Sequence, residues 1–208
     1  MLRIALSTRE VTAPNTGEVR DALARDWTTR LNQWDMLPLP VPNGIKDTAG
    51  FVSAVAPDLL VLTGGDDWGV TPDRDTSERE LLAAAREHGL PVIGVCRGLQ
   101  MLNLHFGGTL VSVEGHVARD HAVDFIVPWQ AIYGEQVTVN SFHNLAIAEA
   151  GLAEPLVAAA RDADGFVEAV HHREETIAGV MWHPERPAAP DADRRLFETM
   201  ARGERFWL

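Results

Sequence analysis

The sequence of residues 91–100 is Pro91-Val92-Ile93-Gly94-Val95-Cys96-Arg97-Gly98-Leu99-Gln100. An apolar run typical of a strand ends in Gly-x-Cys-x-Gly and passes at once into a helical pattern. This layout predicts a tight strand-to-helix turn with Cys96 at its apex, because glycine permits strained turns and close backbone approach. The positive end of the following helix favours a thiolate there. Cys96 is therefore a candidate nucleophile, and a buried core cysteine is the alternative.

Strands and helices alternate around this turn. Apolar runs predict strands over residues 3–7, 36–41, 58–62 and 91–95, the second at a sheet edge because Pro38 and Pro40 lack N–H donors. Helical periodicity predicts helices over residues 18–34, 47–55 and 77–88. A Ser77-x-x-Glu80 capping box is expected to open the third helix, and Gly89 to close it. Such β-α repetition predicts an α/β fold with a largely parallel central sheet and helices on both faces.

The pattern changes after Gly107. Shorter strands are expected over residues 109–114, 123–127 and 136–139, followed by an antiparallel meander over residues 156–161, 165–170 and 176–182. Residues 191–201 should form a closing helix. The apolar end, residues 206–208, should pack back on the domain, and contact with a partner is the alternative. No repeat or linker interrupts the chain, so residues 1–208 are expected to form one domain.

Composition excludes several functional classes. The 208 residues carry a formal net charge of −12, which argues against a nucleic-acid partner. A single cysteine excludes a disulfide framework and a Cys-rich zinc site. The N-terminal strand is broken early by charge and does not resemble a signal peptide or a membrane span. We therefore expect a cytoplasmic protein with no membrane partner.

A cysteine nucleophile needs a base and an acid that orients the base. Two histidines, His172 and His183, have a glutamate two residues later. His172 lies in a polar stretch that predicts a solvated hairpin turn. His183 follows the apolar run 177–182, so a strand should deliver it at the carboxyl end, where active sites of open α/β sheets lie. A satisfied histidine at a strand end is the alternative.

Two further segments carry candidate chemistry. Gly64 and Gly65 follow a buried strand and could turn a backbone N–H toward the site as part of an oxyanion hole, although an ordinary turn is the alternative. The polar loop 140–144 contains His143, a possible ligand contact or a plain loop histidine. His116 and His121 could suit a metal, but no set of three or four ligands stands at metal-site spacing. No metal or cofactor is expected.

These segments, in this order, resemble the class I glutamine amidotransferase superfamily. The matching motifs are Leu62-Thr63-Gly64-Gly65-Asp66, Gly94-Val95-Cys96-Arg97-Gly98-Leu99-Gln100, Val139-Asn140-Ser141-Phe142-His143, and Gly165-Phe166-Val167-Glu168-Ala169 leading to His183-Pro184-Glu185. The resemblance runs from about residue 3 to residue 185 and implies a flavodoxin-like three-layer α/β/α fold. Cys-Arg-Gly and the Gly107-Gly108-Thr109-Leu110 stretch resemble the γ-glutamyl hydrolase branch, whose members act as free-standing hydrolases.

The resemblance implies a role for each matched residue. Cys96, His183 and Glu185 would form a triad that cleaves a γ-glutamyl amide through a thioester and releases glutamate. Backbone N–H groups of Gly65 and Arg97 would hold the oxyanion. The glutamyl head group of a small-molecule substrate would be held by Gln100, Ser141, Phe142 and His143.

The shortened middle of the chain resembles the γ-glutamyl-CDP-amidate hydrolases of capsular phosphoramidate synthesis. A nucleotide amidate is therefore the expected substrate, with possible phosphate contacts at Arg97, His116, Arg119 and His121. A solvated loop with scattered charge is the alternative for this cluster, and Arg97 could equally contact the glutamyl carboxylate or be a structural ion-pair partner. Alternative functions are a γ-glutamyl-GABA-type hydrolase, a glutaminase subunit that passes ammonia to a synthase, and a non-catalytic binding protein.

Overall fold

A computed structural model describes residues 1–208, and its main element is a nine-stranded sheet. The strands are β1 Leu2–Ser7, β2 Arg9–Thr12, β3 Val19–Ala22, β4 Met36–Val41, β5 Leu59–Leu62, β6 Val92–Val95, β7 Val111–Ser112, β8 Val117–Phe125, β9 Gln136–Phe142, β10 Leu145–Ala146, β11 Leu156–Arg161, β12 Val167–His172 and β13 Ile177–Val180. The helices are α1 Arg25–Gln33, α2 Thr48–Val55, α3 Pro72–Glu87, α4 Arg97–His105, α5 Val127–Tyr133 and α6 Ala192–Ala201, with a 3-10 turn at Glu149–Gly151.

The strand order in the main sheet is β4-β1-β5-β6-β13-β12-β11-β8-β9. The first five strands pair in parallel, and the pairs from β13 to β9 are antiparallel. The predicted edge strand with Pro38 and Pro40 is β4, at one end of the sheet. The predicted meander is β11, β12 and β13. Two small sheets, β2 with β3 and β7 with β10, lie outside this order.

Alternate residues of the parallel strands face two separate cores. Leu59 and Val61 of β5 pack in a cluster with residues of α1, α5 and α6. Leu60 and Leu62 pack in a second cluster with residues of α2, α3 and α4. Burial on both faces explains why β5 is a continuous apolar run. The predicted three-layer α/β/α fold is confirmed.

The segment after β1 departs most from the sequence prediction. The helix expected over residues 18–34 is confined to α1, and the residues before it form the antiparallel β2–β3 hairpin. Trp27 and Leu31 of the predicted apolar stripe are buried, but Val19 is 60% exposed. Gly17, with a φ of 67°, lies in the connection between the two strands. The predicted helix is too long because Val19, although it fits the apolar spacing, pairs with Thr12 in the hairpin and does not contact the core.

The start of α3 also differs. The helix begins at Pro72, a residue that suits a first helical turn, so the capping box predicted at Ser77 does not form. Ser77 instead lies within the helix, and its hydroxyl accepts a hydrogen bond from the N–H of Gly44 at 2.9 Å. The predicted end of this helix agrees with the structure to within one residue, since α3 ends at Glu87 and Gly89, with a φ of 64°, follows its cap.

Differences in the second half are tertiary in origin. His172, expected in a solvated turn, is the last residue of β12 and is buried, and its Nδ1 accepts the N–H groups of Glu174 and Glu175. Helix α5 was not predicted, and the strand expected over 109–114 is only β7. Trp207 packs back as expected and donates to the His172 carbonyl at 3.1 Å. None of the helices has the length and apolar character needed to cross a bilayer.

Candidate active site

Cys96 lies between β6 and α4, at the apex of the predicted turn. Its backbone has φ 51° and ψ −105°, which a non-glycine residue rarely adopts. The flanking glycines are required for space. A Cβ on Gly98 would lie 2.0 Å from the carbonyl oxygen of Leu62, and a Cβ on Gly94 would lie 2.6 Å from the backbone of Gly98. The sheet and α4 therefore hold Cys96 in a strained conformation at the carboxyl end of the parallel strands.

His183 follows β13, the strand next to β6, and Glu185 lies two residues later. Nδ1 of His183 is 2.8 Å from Oε1 of Glu185. Its Nε2 is buried and has no hydrogen-bond partner in the chain. Burial lowers the pKa of His183, but interactions with the Cys96 side chain and the Glu185 carboxylate outweigh burial and raise the pKa to about 9. This imidazole could carry a proton between the thiol and a bound molecule.

Cys96, His183 and Glu185 line one cavity of about 410 Å³. Gly64 stands between the first two, since a Cβ there would lie 2.8 Å from Cε1 of His183 and 3.7 Å from the Cβ of Cys96. The remaining lining residues are Arg9, Leu23, Ala24, Asp26, Trp27, Thr63, Gly65, Val117, Phe142, Asn144, Arg186 and Pro187.

The two backbone groups expected to form an oxyanion hole come from different elements. Gly65 lines the cavity with a φ of 153°. A Cβ on Gly65 would lie 2.1 Å from Nη1 of the buried Arg74, so no side chain fits there. Arg97 opens α4, and the N–H of a first-turn residue has no partner within its helix. Donors of this kind can stabilise a developing negative oxygen.

The guanidinium of Arg97 points into a buried ion-pair network. It contacts the carboxylates of Asp75 and Glu78. Arg74 pairs with the same Glu78 at 2.9 Å, and no side chain in this network is more than 7% exposed. The structure therefore places Arg97 as a structural ion-pair partner and not as a phosphate contact, because two buried carboxylates already use its charge.

The four residues implied as head-group contacts divide into two sets. Phe142 lines the cavity, and its ring packs edge-on against His183 with centroids 5.8 Å apart. The side chains of Gln100, Ser141 and His143 do not line the cavity. They are buried and hydrogen-bond to backbone carbonyl groups at 2.6–3.0 Å. These three side chains therefore hold the backbone near the site and do not face the cavity.

The other predicted phosphate contacts, His116, Arg119 and His121, lie in a separate depression of about 180 Å³. Carboxylates lie beside both histidines: Nε2 of His116 is 3.0 Å from Asp162, which also lines the depression, and Nε2 of His121 is 3.4 Å from the buried Glu168. The structure does not bring this cluster to the cavity of Cys96, and the carboxylates oppose an anionic ligand there.

Glu168 joins this depression to the 140–144 loop. Its carboxylate lies between Nε2 of His121 at 3.4 Å and Nε2 of His143 at 3.6 Å. Burial raises the pKa of Glu168, but the two imidazoles outweigh burial and leave the pKa lowered. Burial likewise lowers the pKa of His121, and Glu168 outweighs it and leaves that pKa raised. The cluster ties the 140–144 loop to β12 through charge.

Ligating atoms of His116, Asp162 and Asp164 lie within 4.8 Å of one another, a spacing that could suit a metal ion. Hydrogen bonds within the chain already engage the central carboxylate. Oδ1 of Asp162 accepts the N–H groups of Asp164 and Phe166 at 3.0 and 2.8 Å, and Oδ2 bonds to His116. The arrangement is explained by these bonds, and we assign no metal to it.

Sequence reasoning missed three residues around the site. Asn140 holds the backbone of His183 with two hydrogen bonds, accepting its N–H at 2.9 Å and donating to its carbonyl at 3.0 Å. Arg186 and Arg9 line the cavity. The position of Arg186 directly after Glu185 was a usable signal. The sequence around Arg9 gave no such signal, because Arg9 reaches the site only through the tertiary position of the β2–β3 hairpin.

Comparisons with known proteins agree with this architecture. The Peptidase C26 family model matches residues 4–185. The chain is 31% identical over 192 residues to the gamma-glutamyl-CDP-amidate hydrolase of Campylobacter jejuni, covering 88% of this chain and 90% of that protein. It is 31% identical to anthranilate synthase component 2 of Azospirillum brasilense, covering 64% and 67%. The solved glutaminase domain of Trypanosoma brucei CTPS with bound acivicin superposes with a TM-score of 0.74 at 14% identity, covering 99% of this chain and 95% of that one.

The fold is that of the class I glutamine amidotransferase-like proteins. Within that class, the chain belongs to the Peptidase C26 family, whose model spans most of its length. The family and the hydrolase relative together support a hydrolase activity.

Proposed function

We propose that this chain is a cysteine-dependent hydrolase of γ-glutamyl amides. One observation carries the proposal: a cysteine at a strained strand-to-helix turn shares a cavity with a histidine that a glutamate orients. A thiol, a base and an orienting acid are the parts that nucleophilic acyl transfer requires. No cofactor is needed for this chemistry.

The reaction runs in two halves. The Cys96 thiol gives its proton to His183, and Sγ attacks the γ-carbonyl carbon to form an S–C bond. The displaced π electron pair goes to the carbonyl oxygen, held by the N–H groups of Gly65 and Arg97, and returns to carbon when the leaving nitrogen departs. The C–N bond then breaks as His183 gives its proton to the leaving nitrogen. Water loses a proton to His183 and attacks the γ-glutamyl thioester, which releases glutamate and the Cys96 thiol. Glu185 keeps the imidazole oriented throughout.

The substrate we propose is a γ-glutamyl nucleotide amidate, hydrolysed in the cytoplasm during capsule biosynthesis. The support is the likeness to the gamma-glutamyl-CDP-amidate hydrolase, which covers nine-tenths of that relative's length. The cavity of about 410 Å³ is lined by Phe142 of β9 and by Arg9 of the β2–β3 hairpin, and its volume exceeds what a glutamyl group needs.

The experiment is a comparison of glutamate release by the purified chain from γ-glutamyl-CDP-amidate, γ-glutamyl-GABA and glutamine. We expect the highest kcat/KM for the nucleotide amidate.

A glutamine-like diazo-ketone should add once, at Cys96, because this is the single thiol of the chain. Cys96→Ala should abolish both glutamate release and labelling, with an unchanged circular dichroism spectrum. Glutamate release by folded Cys96→Ala would contradict the mechanism, and a preference for glutamine would favour a glutaminase subunit.

A further inference from the structure

Arg186 is an unpaired cation in the wall of the active cavity. Its guanidinium carbon stacks 3.5 Å from the centroid of the Phe142 ring. None of the ion pairs in the chain, all within 4.0 Å, involves Arg186. Its side chain donates no hydrogen bond, although Arg30 bonds to its backbone carbonyl. No carboxylate of the chain neutralises the charge of Arg186, so this guanidinium can pair with an anion that enters the cavity.

The position of Arg186 relates it to the leaving group. Phe142, on which the guanidinium stacks, packs its ring edge against the imidazole of His183. In the proposed mechanism His183 gives a proton to the leaving nitrogen, so the leaving amine must lie beside His183. The oxyanion donors Gly65 and Arg97 direct the carbonyl oxygen elsewhere. Arg186 therefore lies on the side of the cavity where the leaving amine must extend.

Arg9 supplies a second cation from another element. Strand order places β1 and the hairpin that follows it on one side of β6, and β9 with Phe142 on the other. Nε of Arg9 lies 3.2 Å from the point where a Cβ on Gly65 would stand, so Arg9 adjoins the oxyanion glycine. It pairs with Asp66 at 3.2 Å, but both side chains are more than 40% exposed. A solvated pair of this kind is weak and leaves the guanidinium available.

The carboxylates of the cavity do not cancel these cations. Glu185 is engaged with Nδ1 of His183. Asp26, in the first turn of α1, is the other carboxylate lining the cavity, and it has no ion-pair partner. The ammonium of a glutamyl group could face Asp26. Two guanidinium groups then remain for anions.

We propose that Arg186 binds a negatively charged group on the leaving amine, and that Arg9, which lines the same cavity beside Gly65, adds to the positive potential that attracts this group. A planar guanidinium matches the oxygens of phosphate or carboxylate in both charge and geometry. The subsite replaces the cluster of His116, Arg119 and His121 as the feature that selects the substrate. It rests on the proposed hydrolysis of γ-glutamyl amides, and it excludes ammonia, which carries no anion, as the preferred leaving group.

The test uses matched substrates that share one glutamyl group. They are the γ-glutamyl amides of 2-aminoethyl phosphate, GABA and ethanolamine, which carry a phosphate, a carboxylate and no charge. We expect wild-type kcat/KM to be higher for the charged substrates than for the ethanolamine amide. Arg186→Gln should lower kcat/KM for the preferred charged substrate by about 10-fold to 100-fold and leave the ethanolamine amide almost unaffected. Arg9→Gln should act in the same direction, and Arg195→Gln, on the exposed face of α6, controls for the loss of one positive charge.

The outcomes separate the subsite from the proposed function. Preference for the phosphate or for the carboxylate identifies which anion the arginines bind. Equal wild-type efficiency on all three amides would overturn the subsite and leave the hydrolase intact. Equal loss on all three in Arg186→Gln would place the arginine on the glutamyl carboxylate and also overturn it. Calorimetric titration with inorganic pyrophosphate needs no turnover: Arg186-dependent binding without cleavage of any amide would retain the anion site and reject the hydrolase.

Discussion

At the scale of single residues, Cys96 has a strained backbone, and its side chain lines the cavity. A non-glycine residue with positive φ costs of order 1–3 kcal/mol and persists only where the surrounding structure imposes it. Here the close approach of Gly98 to the Leu62 carbonyl, and of Gly94 to Gly98, imposes it. The cost is concentrated at the one residue whose side chain must stand clear of the sheet.

His183 and Glu185 are predicted to contribute unequally to activity. His183→Ala removes the proton carrier and should lower kcat by about 10²–10⁴-fold. Glu185→Gln should cost less, because an amide can still hold the ring. It should also lower the pKa of His183 from about 9, since the carboxylate is one of the groups that raise it. NMR titration of the imidazole nitrogens measures that shift.

The exposed His88 provides the control for this pair. His88→Ala should leave both kcat and the imidazole titration of His183 unchanged. A Glu185→Gln variant that leaves the pKa of His183 at about 9 would show that the carboxylate does not support the imidazolium.

At the scale of elements, the site depends on joining distant strands. β6 and β13 are neighbours and bring Cys96 and His183 together directly. β9 is the last strand in the sheet order, yet its residue Asn140 makes two hydrogen bonds to the backbone of His183. The antiparallel half of the sheet thus contacts the parallel half at His183.

Asn140 is predicted to be a positioning residue. Asn140→Ala removes both hydrogen bonds to His183, so the imidazole should lose its alignment with the thiol. We expect kcat to fall by about 10-fold or more while KM changes little, because the cavity walls remain. Thermal unfolding should be measured alongside the kinetics. Thr138→Ala, on the same strand β9 but exposed and outside the cavity lining, is the matched control; a similar kcat loss in both variants would indicate general loosening of β9.

At the scale of the whole molecule, buried charge is distributed in separate networks. The Arg74, Glu78, Arg97 and Asp75 network supports the turn around Cys96. On the opposite face of the sheet, Asp193 of α6 accepts hydrogen bonds from Tyr133 at 2.7 Å and Trp182 at 3.1 Å. Burial raises the pKa of Asp193 to about 7, even though these hydrogen bonds lower it.

Stability is predicted to depend on pH through Asp193. A carboxyl whose pKa is raised in the folded state stabilises the fold fully below its unfolded pKa, here 3.8, and that contribution is lost as pH rises to about 7. Asp193→Asn keeps an acceptor oxygen and cannot ionise. The Tm of the variant minus that of the wild type should therefore rise between pH 4 and 7 and level off above.

Asp191→Asn, beside the same helix but exposed, controls for the removed negative charge. A Tm difference between Asp193→Asn and wild type that does not change over this pH range would mean that the buried carboxyl ionises as readily in the folded chain as in the unfolded one.

Much of the fold could be predicted because local patterns matched tertiary burial. The run at β5 is apolar on both faces because two helical layers cover it, and the prolines of β4 are compatible only with an edge. The helix prediction was wrong where residues with helical apolar spacing are not buried in the folded chain. Val19 continued the stripe of α1 in sequence, but it lies in an exposed hairpin. The missing capping box at Ser77 has a similar cause, since its hydroxyl bonds to a residue distant in sequence.

The sequence by itself determined the strand-to-helix turn at Cys96 and the order of the motifs, because glycine spacing and hydrophobic periodicity are local properties. It also identified His183 and Glu185, which the fold then brings to the cavity of Cys96. Only the tertiary structure decided which cations face that cavity. Arg97 is adjacent to Cys96 in sequence but is buried against Asp75 and Glu78, whereas Arg9 and Arg186 reach the cavity from opposite ends of the chain. The direction of a charged side chain depends on which carboxylates lie near it in space, and sequence separation carries little information about that.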